Sequence, residues 1–181
     1  MEPLILASSS LRRQDILRNL DIPFQVVIPD IEERYEAGMS PEEGTEFIAI
    51  KKVETAAKKL SKKQAVSWVL GADTLITLDG RTYGKPEDRE QASEFLRAFS
   101  GKTQKIITAI ALFNGKNSFL STRLSINHLT FTKMTDEEIE DYLSTGEWQG
   151  VAGGYRIQNK GSCFISNIEG SYSAIVGLPI F

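Results

Sequence analysis

The sequence predicts a mixed α/β protein in which helices flank a β-sheet. Apolar runs typical of buried strands alternate along the chain with segments whose apolar residues recur at helical spacing. Three of the helical segments begin with a capping signal, at residues 40–43, 88–91 and 135–138. The 181 residues, 41% of them hydrophobic and 25% charged, are typical of one soluble folding unit. We therefore expect a single domain over residues 1–181.

Composition and charge exclude several classes of protein. The net charge of −3 argues against a protein whose main task is to coat nucleic acid. Cys163 is the single cysteine, which excludes an intrachain disulfide and a cysteine-based zinc site and fits a reducing cytosol. The N-terminal apolar run is too short for a signal peptide or a membrane span. We expect a cytoplasmic protein with neither a membrane nor a nucleic-acid partner.

The chain starts with an apolar run, residues 4–7, which breaks into three serines and then into a helical pattern from Leu11 onwards. Arg12 and Arg13 fall in the first turn of that helix, where a cation opposes the helix dipole by about 0.3–1 kcal/mol. Two interpretations stay open. Backbone N–H groups, serines such as Ser8 and the two guanidinium groups bind a phosphate, or a serine caps the helix and both arginines are solvated.

A short strand at residues 24–28 is followed by a polar loop that contains Glu33 and by a helix that begins at Ser40. In a polar loop a glutamate is usually solvated. Lys52 lies mid-helix, beside the apolar stripe. Its stem either covers apolar surface while its ammonium group reaches water, or the side chain reaches over a neighbouring cleft.

Asp73 interrupts a long apolar strand region at residues 66–78. A carboxylate there is costly to bury, so we expect it to pair with a cation, accept hydrogen bonds or bind a metal, and we favour a functional role. The turn at Asp79 and Gly80 leads to Gly84-Lys85-Pro86. This tripeptide combines a close-approach residue, a point charge and a strand end, and is weak evidence by itself.

The second half of the chain predicts a helix from Asp88, a hairpin at residues 105–132, a helix after Thr135 and two short strands near residues 163–165 and 172–176. His128 falls at a sheet-face position, and Cys163 is expected to be a buried small hydrophobic residue. Residues 150–161 contain four glycines. They form either a loop whose backbone approaches a ligand or a plain flexible loop.

The candidate residues point to phosphate chemistry. Glu33 and Asp73, if they lie at strand ends on one rim, offer the one or two carboxylates that Mg²⁺ prefers. Gly101-Lys102-Thr103 closes a helix instead of opening one, which argues against a Walker A loop and leaves water as the acceptor. The expected cations for the phosphate oxygens are Arg12, Arg13, Lys52 and Lys85. This set predicts a metal-dependent hydrolase of a phosphate ester or anhydride.

An ordered set of short motifs resembles the Maf (septum formation inhibitor) family of nucleoside triphosphate pyrophosphatases. The motifs are Leu-Ala-Ser-x-Ser-x-Arg-Arg at residues 6–13, Gly-Ala-Asp-Thr at 71–74, Gly-Lys-Pro at 84–86, Ala-Gly-x-Tyr-x-Ile-Gln at 152–158, and Gly-Ser-Tyr and Gly-Leu-Pro at 170–172 and 177–179. The resemblance implies an elongated mixed sheet, two lobes around a nucleotide cleft, and a relation to the inosine-triphosphate pyrophosphatase fold. It also implies cleavage between the α- and β-phosphates with Mg²⁺ or Mn²⁺.

The resemblance also assigns roles to residues. Ser8, Arg12 and Arg13 match the phosphate-binding start, Glu33 and Lys52 the acidic loop and the helix lysine. Asp73 matches the metal-binding or base aspartate, Lys85 the phosphate lysine, and Gln158 the glutamine that faces the nucleoside. Glu33 and Asp73 are thus the implied metal ligands, with Lys52 and Lys85 beside them in the catalytic set. Arg13, Thr74 and Gln158 together resemble the branch that acts on dTTP and UTP, a nucleotide-pool housecleaning activity.

Some positions depart from the family pattern. Val151 and Arg156 stand where lysine and glycine are common, which leaves the base preference open. A regulator of cell division that binds nucleotides without turning them over is the alternative, supported by this altered loop. The sequence leaves a homodimer open.

Overall fold

The computed structural model describes residues 3–61 and 68–181. In the first part the strands are β1 (Leu4–Ala7), β2 (Phe24–Val26), β3 (Trp68–Leu78) and β4 (Arg81–Tyr83), and the helices are α1 (Leu11–Asn19) and α2 (Pro41–Ser61). The second part contains α3 (Arg89–Phe99), β5 (Thr103–Asn114), β6 (Phe119–Phe131), α4 (Asp136–Ser144), β7 (Ile165–Glu169) and α5 (Tyr172–Val176). Two 3₁₀ turns, Ala152–Gly154 and Lys160–Phe164, lie between α4 and β7.

The strands form a seven-stranded mixed sheet. Its order is β2-β1-β3-β5-β6-β7, and β4 pairs with β3. The pairs β1–β2 and β1–β3 are parallel, whereas β3–β4 and β6–β7 are antiparallel. The predicted α/β class, with helices on a mixed sheet, is confirmed. The relation to the inosine-triphosphate pyrophosphatase fold and the single domain over residues 1–181 stay predictions.

The chain divides into two compact units. Unit 1 comprises residues 1–73, 108–125 and 177–181, and unit 2 comprises residues 74–107 and 126–176. In unit 1, small and β-branched residues let α2 pack closely on one sheet face, among them Ala49, Val53 and Ala109. On the other face Leu17 of α1 packs with Leu6, Leu70 and Leu178. Unit 1 is therefore a three-layer arrangement with a helix on each sheet face.

Unit 2 has an aromatic core. Tyr83, Phe95, Phe99, Phe131 and Tyr155 pack with ring centroids 4.7–6.5 Å apart, mostly edge to face. Burial raises the pKa of Tyr155 well above its usual range, and its hydroxyl lies 2.9 Å from Oε1 of the buried Gln104. Tyr155 thereby ties the glycine-rich segment to β5.

Several sequence-based expectations on local structure need correction. Residues 172–176, predicted as a strand, form α5: the Ser171 carbonyl accepts from Ile175 N–H, and the Ser171 hydroxyl accepts from Ala174 N–H, which starts a helix. Cys163, predicted to be buried, is exposed because Phe164 takes the inward position of this turn. Residues 66 and 67, predicted to open β3, lie outside the described residues.

Candidate active site

The turn between β1 and α1 holds a buried arginine. Arg13 Nε donates to the Gly177 carbonyl oxygen at 2.7 Å, and Nη1 donates to Ser8 Oγ at 3.2 Å. Ser8 Oγ also accepts from the Ser10 backbone N–H at 3.2 Å. Arg12 lies one residue earlier in the first turn of α1 and is half-buried. The predicted strand, serine turn and helix with both arginines at its start are confirmed.

Two carboxylates act on the Arg13 guanidinium. Burial lowers the pKa of Arg13, and the charges of Asp73 and Glu33 act in the opposite direction. Arg13 therefore lies within electrostatic reach of both carboxylates, although they come from a loop and a strand far along the chain. The charge of the Arg13 guanidinium is thus partly compensated by the two carboxylates.

The two carboxylates meet at the ammonium group of Lys52. Lys52 Nζ lies 2.7 Å from Asp73 Oδ1 and 2.8 Å from Glu33 Oε1, and it donates to the Ala72 carbonyl oxygen at 3.3 Å. The Lys52 and Asp73 side chains are 6% and 9% exposed, whereas that of Glu33 is 45% exposed. The sequence-based expectation that Asp73 pairs with a cation is confirmed. The Lys52 ammonium group does not reach water, as the first alternative required, but lies buried between two carboxylates.

A glycine in β3 explains how Lys52 reaches this position. A Cβ atom on Gly71 would lie 2.7 Å from Val53 Cγ1 and 2.8 Å from the Ala49 carbonyl oxygen, both in α2. Helix α2 therefore packs directly on the β3 backbone at Gly71, and the next turn places Lys52 beside Asp73. Asp73 lies inside β3 and Glu33 in the loop after β2, so the condition that both lie at strand ends on one rim is not met. The helix, and not a common sheet rim, brings them together.

Tyr35 is a contact residue of this cluster that sequence reasoning missed. Its hydroxyl donates to Asp73 Oδ2 at 3.4 Å. Burial raises the pKa of Tyr35, and the Asp73 and Glu33 charges raise it further, so the phenol stays protonated at neutral pH. The one local signal was an aromatic residue among charged residues at positions 32–36.

The remaining candidates lie in unit 2. Thr74 follows Asp73 in β3, Lys85 is exposed just after β4, and Gln158 is exposed after the 3₁₀ turn at Ala152–Gly154. Within this unit two sequence motifs meet, because Gly153 N–H donates to the Gly84 carbonyl oxygen at 2.9 Å. The glycine-rich segment is thus packed against the end of β4, and the plain flexible loop is excluded for residues 152–154.

Gly153 has no room for a side chain. Its φ of 70° is in the left-handed region, and a Cβ atom would lie 2.6 Å from Ile76 Cδ1 and 2.9 Å from Tyr155 Cε1. The glycine therefore permits the close contact between this segment and the sheet. It also fixes the start of the segment that carries Gln158.

The carboxylates of unit 1 fit a hard divalent cation that is completed by other ligands. Glu33 and Asp73 bring hard oxygen donors together at the Lys52 ammonium group. Within residues 3–61 and 68–181, no group of three or more His, Cys, Asp or Glu side chains is arranged to hold a metal ion. This donor set suits Mg²⁺, which commonly takes one or two carboxylates together with water and substrate phosphates.

Among residues 3–61 and 68–181, none of the helices has the length and apolar character that a membrane-spanning helix needs.

Comparison with known proteins identifies the family. The model of the Maf-like protein family matches residues 3–181. The chain belongs to the Maf-like family. A dTTP/UTP pyrophosphatase from Bacillus cytotoxicus is 39% identical over 180 residues, covering 99% of this chain and 91% of the relative. One from Alkalilimnicola ehrlichii is 37% identical, covering 98% and 88%.

Structural comparison adds little to this Maf-like assignment. The crystal structure of protein VC0702 from Vibrio cholerae matches with a TM-score of 0.37 and 11% identity, over 80% of this chain and 73% of the other. A similarity this low supports no functional argument. The Maf-like motifs recognised in the sequence fall on the β1–α1 turn, the middle of β3, the end of β4 and the segment at residues 152–158.

Proposed function

We propose that this protein hydrolyses dTTP and UTP to the nucleoside monophosphate and pyrophosphate. The substrate class is supported by the Maf-like family and by relatives, 37–39% identical over nearly the whole chain, that carry the name dTTP/UTP pyrophosphatase. The chemistry is supported by one observation above all: the buried Asp73 carboxylate, held by Lys52 beside Glu33. A buried ion pair often adds little to the stability of a protein, and charged groups in such surroundings are concentrated at functional sites.

The side chains of unit 1 carry distinct tasks in this proposal. Asp73 either accepts a proton from the attacking water or binds the metal. Lys52 neutralises part of the charge that the two carboxylates bring together. Arg12 and Arg13 attract the negative phosphates to the start of α1, where backbone N–H groups also favour an anion. Since Arg13 is already anchored by Ser8 and Gly177, its charge is held in place before substrate arrives.

We also propose that the reaction requires Mg²⁺ or Mn²⁺, held by Glu33 and Asp73. When bound, such an ion neutralises phosphate charge and lowers the pKa of coordinated water. The protein's own contribution is to hold both carboxylates at one point through Lys52. Lys85 is the proposed further cation for the substrate phosphates.

The residues of unit 2 supply the base preference. Thr74 and Gln158 are the proposed contacts to the pyrimidine, because a glutamine amide both donates and accepts, as the uracil and thymine edges require. The proposed role is nucleotide-pool housecleaning in the cytoplasm. A nucleotide-binding regulator without turnover remains the alternative function.

The proposal is tested by incubating the protein with dTTP or UTP, with and without Mg²⁺, and analysing products by ³¹P NMR. We expect pyrophosphate and monophosphate in equal amounts, and only when the metal is present. CTP and 7-methyl-GTP are matched controls for the base preference and should react more slowly. Release of single phosphates would contradict the assigned bond, and binding of dTTP without turnover would favour the regulator.

A further inference from the structure

Gly44 lies in the first turns of α2, at a position where almost any other residue would make the helix more stable. Gly44 has a regular helical hydrogen bond, from its N–H to the Ser40 carbonyl oxygen at 2.9 Å. Glycine is the poorest helix former after proline, and the helix otherwise has a strong start with a Ser40–Glu43 capping box. The local sequence therefore does not explain Gly44.

The tyrosine of the preceding loop explains this glycine. A Cβ atom on Gly44 would come within 3.0 Å of three atoms of the Tyr35 ring, Cδ1, Cγ and Cε1. Real Cβ atoms do not approach other atoms so closely, so the ring rests on the bare helix backbone. Any larger residue at position 44 would push the ring away.

The polar end of the same ring reaches the reacting carboxylate. The Tyr35 hydroxyl donates to Asp73 Oδ2 at 3.4 Å, while Lys52 Nζ lies 2.7 Å from Oδ1. The two oxygens of Asp73 thus have different partners on different elements, a loop and a helix. A carboxylate held at both oxygens cannot rotate about its Cβ–Cγ bond without losing one of them.

We propose that Tyr35 is a positioning residue for the Asp73 carboxylate, and that Gly44, which has no side chain, leaves the space that the Tyr35 ring occupies. The inference deepens the proposed function and rests on it, because it assumes that Asp73 acts in the reaction. Tyr35 acts through Asp73: its hydroxyl fixes the carboxylate plane, and Gly44 fixes the ring. The position of a reacting group within a fraction of an ångström affects turnover more than it affects substrate binding.

The kinetic test compares Tyr35→Phe with the wild-type protein, using dTTP and Mg²⁺. We expect kcat to fall about tenfold with KM nearly unchanged, since the lost hydrogen bond is to an ionised group but is long. Gly44→Ala should lower kcat in the same way, and adding it to Tyr35→Phe should lower kcat little further. Tyr172→Phe, which removes an exposed hydroxyl in unit 2, is the matched control and should leave kcat unchanged.

A stability test gives a second readout that does not need turnover. Gly44→Ala should lower the urea midpoint when Tyr35 is present and raise it in a Tyr35→Ala background, because alanine is the better helix former once the ring is gone. Wild-type kcat in Tyr35→Phe, or a raised midpoint for Gly44→Ala alone, would overturn the inference while the proposed function stands. A wild-type protein without turnover would overturn the proposed function and the positioning role with it.

Discussion

Asp73 is the single side chain on which the proposed chemistry depends most. Asp73→Asn keeps the shape of the residue and removes its charge, and Glu33 still leaves Lys52 with a carboxylate at 2.8 Å. We therefore expect kcat for dTTP to fall by about 10²-fold or more, while the thermal midpoint moves by no more than about 4 °C. Steady-state pyrophosphate release and circular dichroism melting measure the two quantities.

Asp79→Asn is the matched control for this change. Asp79 is exposed and forms an ion pair with Lys102 at 2.9 Å, a pair that should contribute little to stability. Both kcat and the midpoint should stay at the wild-type values. Normal turnover by the Asp73→Asn protein would show that Asp73 takes no part in the reaction.

The two arginines at the start of α1 should respond differently to substitution. Arg13→Ala removes hydrogen bonds to Gly177 and Ser8 from a buried site and should cost about 2 kcal/mol of unfolding free energy. Arg12→Ala should change stability little, because the helix dipole does not favour a cation there, but should lower kcat/KM for dTTP at least tenfold. Urea unfolding and initial-rate kinetics measure these effects.

Arg18→Ala controls for the loss of an arginine from the same helix. Arg18 lies in the last turn of α1 and pairs with Asp15 at the surface. Its removal should leave kcat/KM unchanged. Equal kinetic losses in Arg12→Ala and Arg18→Ala would show that only the net charge of the helix matters.

At the residue scale, the sequence could predict which side chains are unusual but not all of their partners. An isolated carboxylate in an apolar run needs a partner on physical grounds, which made Asp73 recognisable, and Lys52 was already a candidate. The Tyr35 contact joins positions 38 residues apart and leaves no periodic or charge signal. Cys163 was assigned wrongly because apolar neighbours in sequence do not determine which way a 3₁₀ turn faces.

The packing of α2 on β3 is the element-scale feature that assembles the carboxylate cluster. Gly71→Ala would place a methyl group 2.8 Å from the Ala49 carbonyl oxygen, a backbone atom that cannot move without the helix. We expect a loss of about 1–3 kcal/mol of unfolding free energy and a lower kcat, because Lys52 moves with α2. Urea unfolding and dTTP kinetics provide the measurements.

Gly84→Ala is the matched glycine control for stability. A Cβ atom on Gly84 would meet no atom within 4 Å, so the unfolding free energy of Gly84→Ala should be equal to that of the wild type or higher by up to about 1 kcal/mol. Equal losses for the two variants would show that the loss in Gly71→Ala does not come from the α2–β3 contact, because the effect of alanine on the unfolded chain is to stabilise the protein.

The capping box of α2 makes stability depend on pH. Hydrogen bonds from the Ser40 backbone N–H and hydroxyl lower the pKa of Glu43 below its usual range. A carboxyl group whose pKa is lower in the folded state adds stability above its unfolded pKa and loses it as the pH falls through the folded pKa. Between about pH 5 and pH 3 the unfolding free energy of the wild type should therefore fall more than that of Glu43→Gln.

Urea unfolding at a series of pH values checks this prediction. Ser40→Ala removes the hydroxyl donor, so Glu43→Gln in that background should change the pH dependence less. If the unfolding free energies of the wild type and Glu43→Gln changed with pH in parallel, the capping hydrogen bonds would not stabilise the ionised carboxyl group of Glu43.

Among the elements, the capped helix starts were predictable, and the short apolar segment near the end of the chain was not. The boxes at Ser40–Glu43 and Thr135–Glu138 are present, and Asp88 accepts from Gln91 N–H, because capping depends on side chains within three residues. The Gln91 side chain instead accepts from Glu87 N–H, one residue before the expected partner. Helix α5 was missed because a mostly apolar segment of five residues fits either element, and only the cap at Ser171 decides.

At the scale of the whole molecule, three strands connect the two compact units. β3, β5 and β6 each pass from one unit into the other as a continuous strand, at residues 73–74, 107–108 and 125–126. The sequence showed these strands but not the division, because three of the four boundaries fall within strands and only the last, at residues 176–177, falls beside a glycine. A unit that unfolds must break strands that it shares, so we expect one cooperative transition.

The two tryptophans test this expectation, because each lies in a different unit. Trp68 packs edge to face on Phe119 in unit 1, and Trp148 Nε1 donates to the Leu143 carbonyl oxygen in unit 2. Trp148→Phe leaves a fluorophore in unit 1, and Trp68→Phe leaves one in unit 2. In each variant the urea midpoint from fluorescence should coincide with that from far-ultraviolet circular dichroism, as two-state unfolding requires. A fluorescence transition in one variant that precedes its own circular dichroism transition would show that this unit unfolds alone.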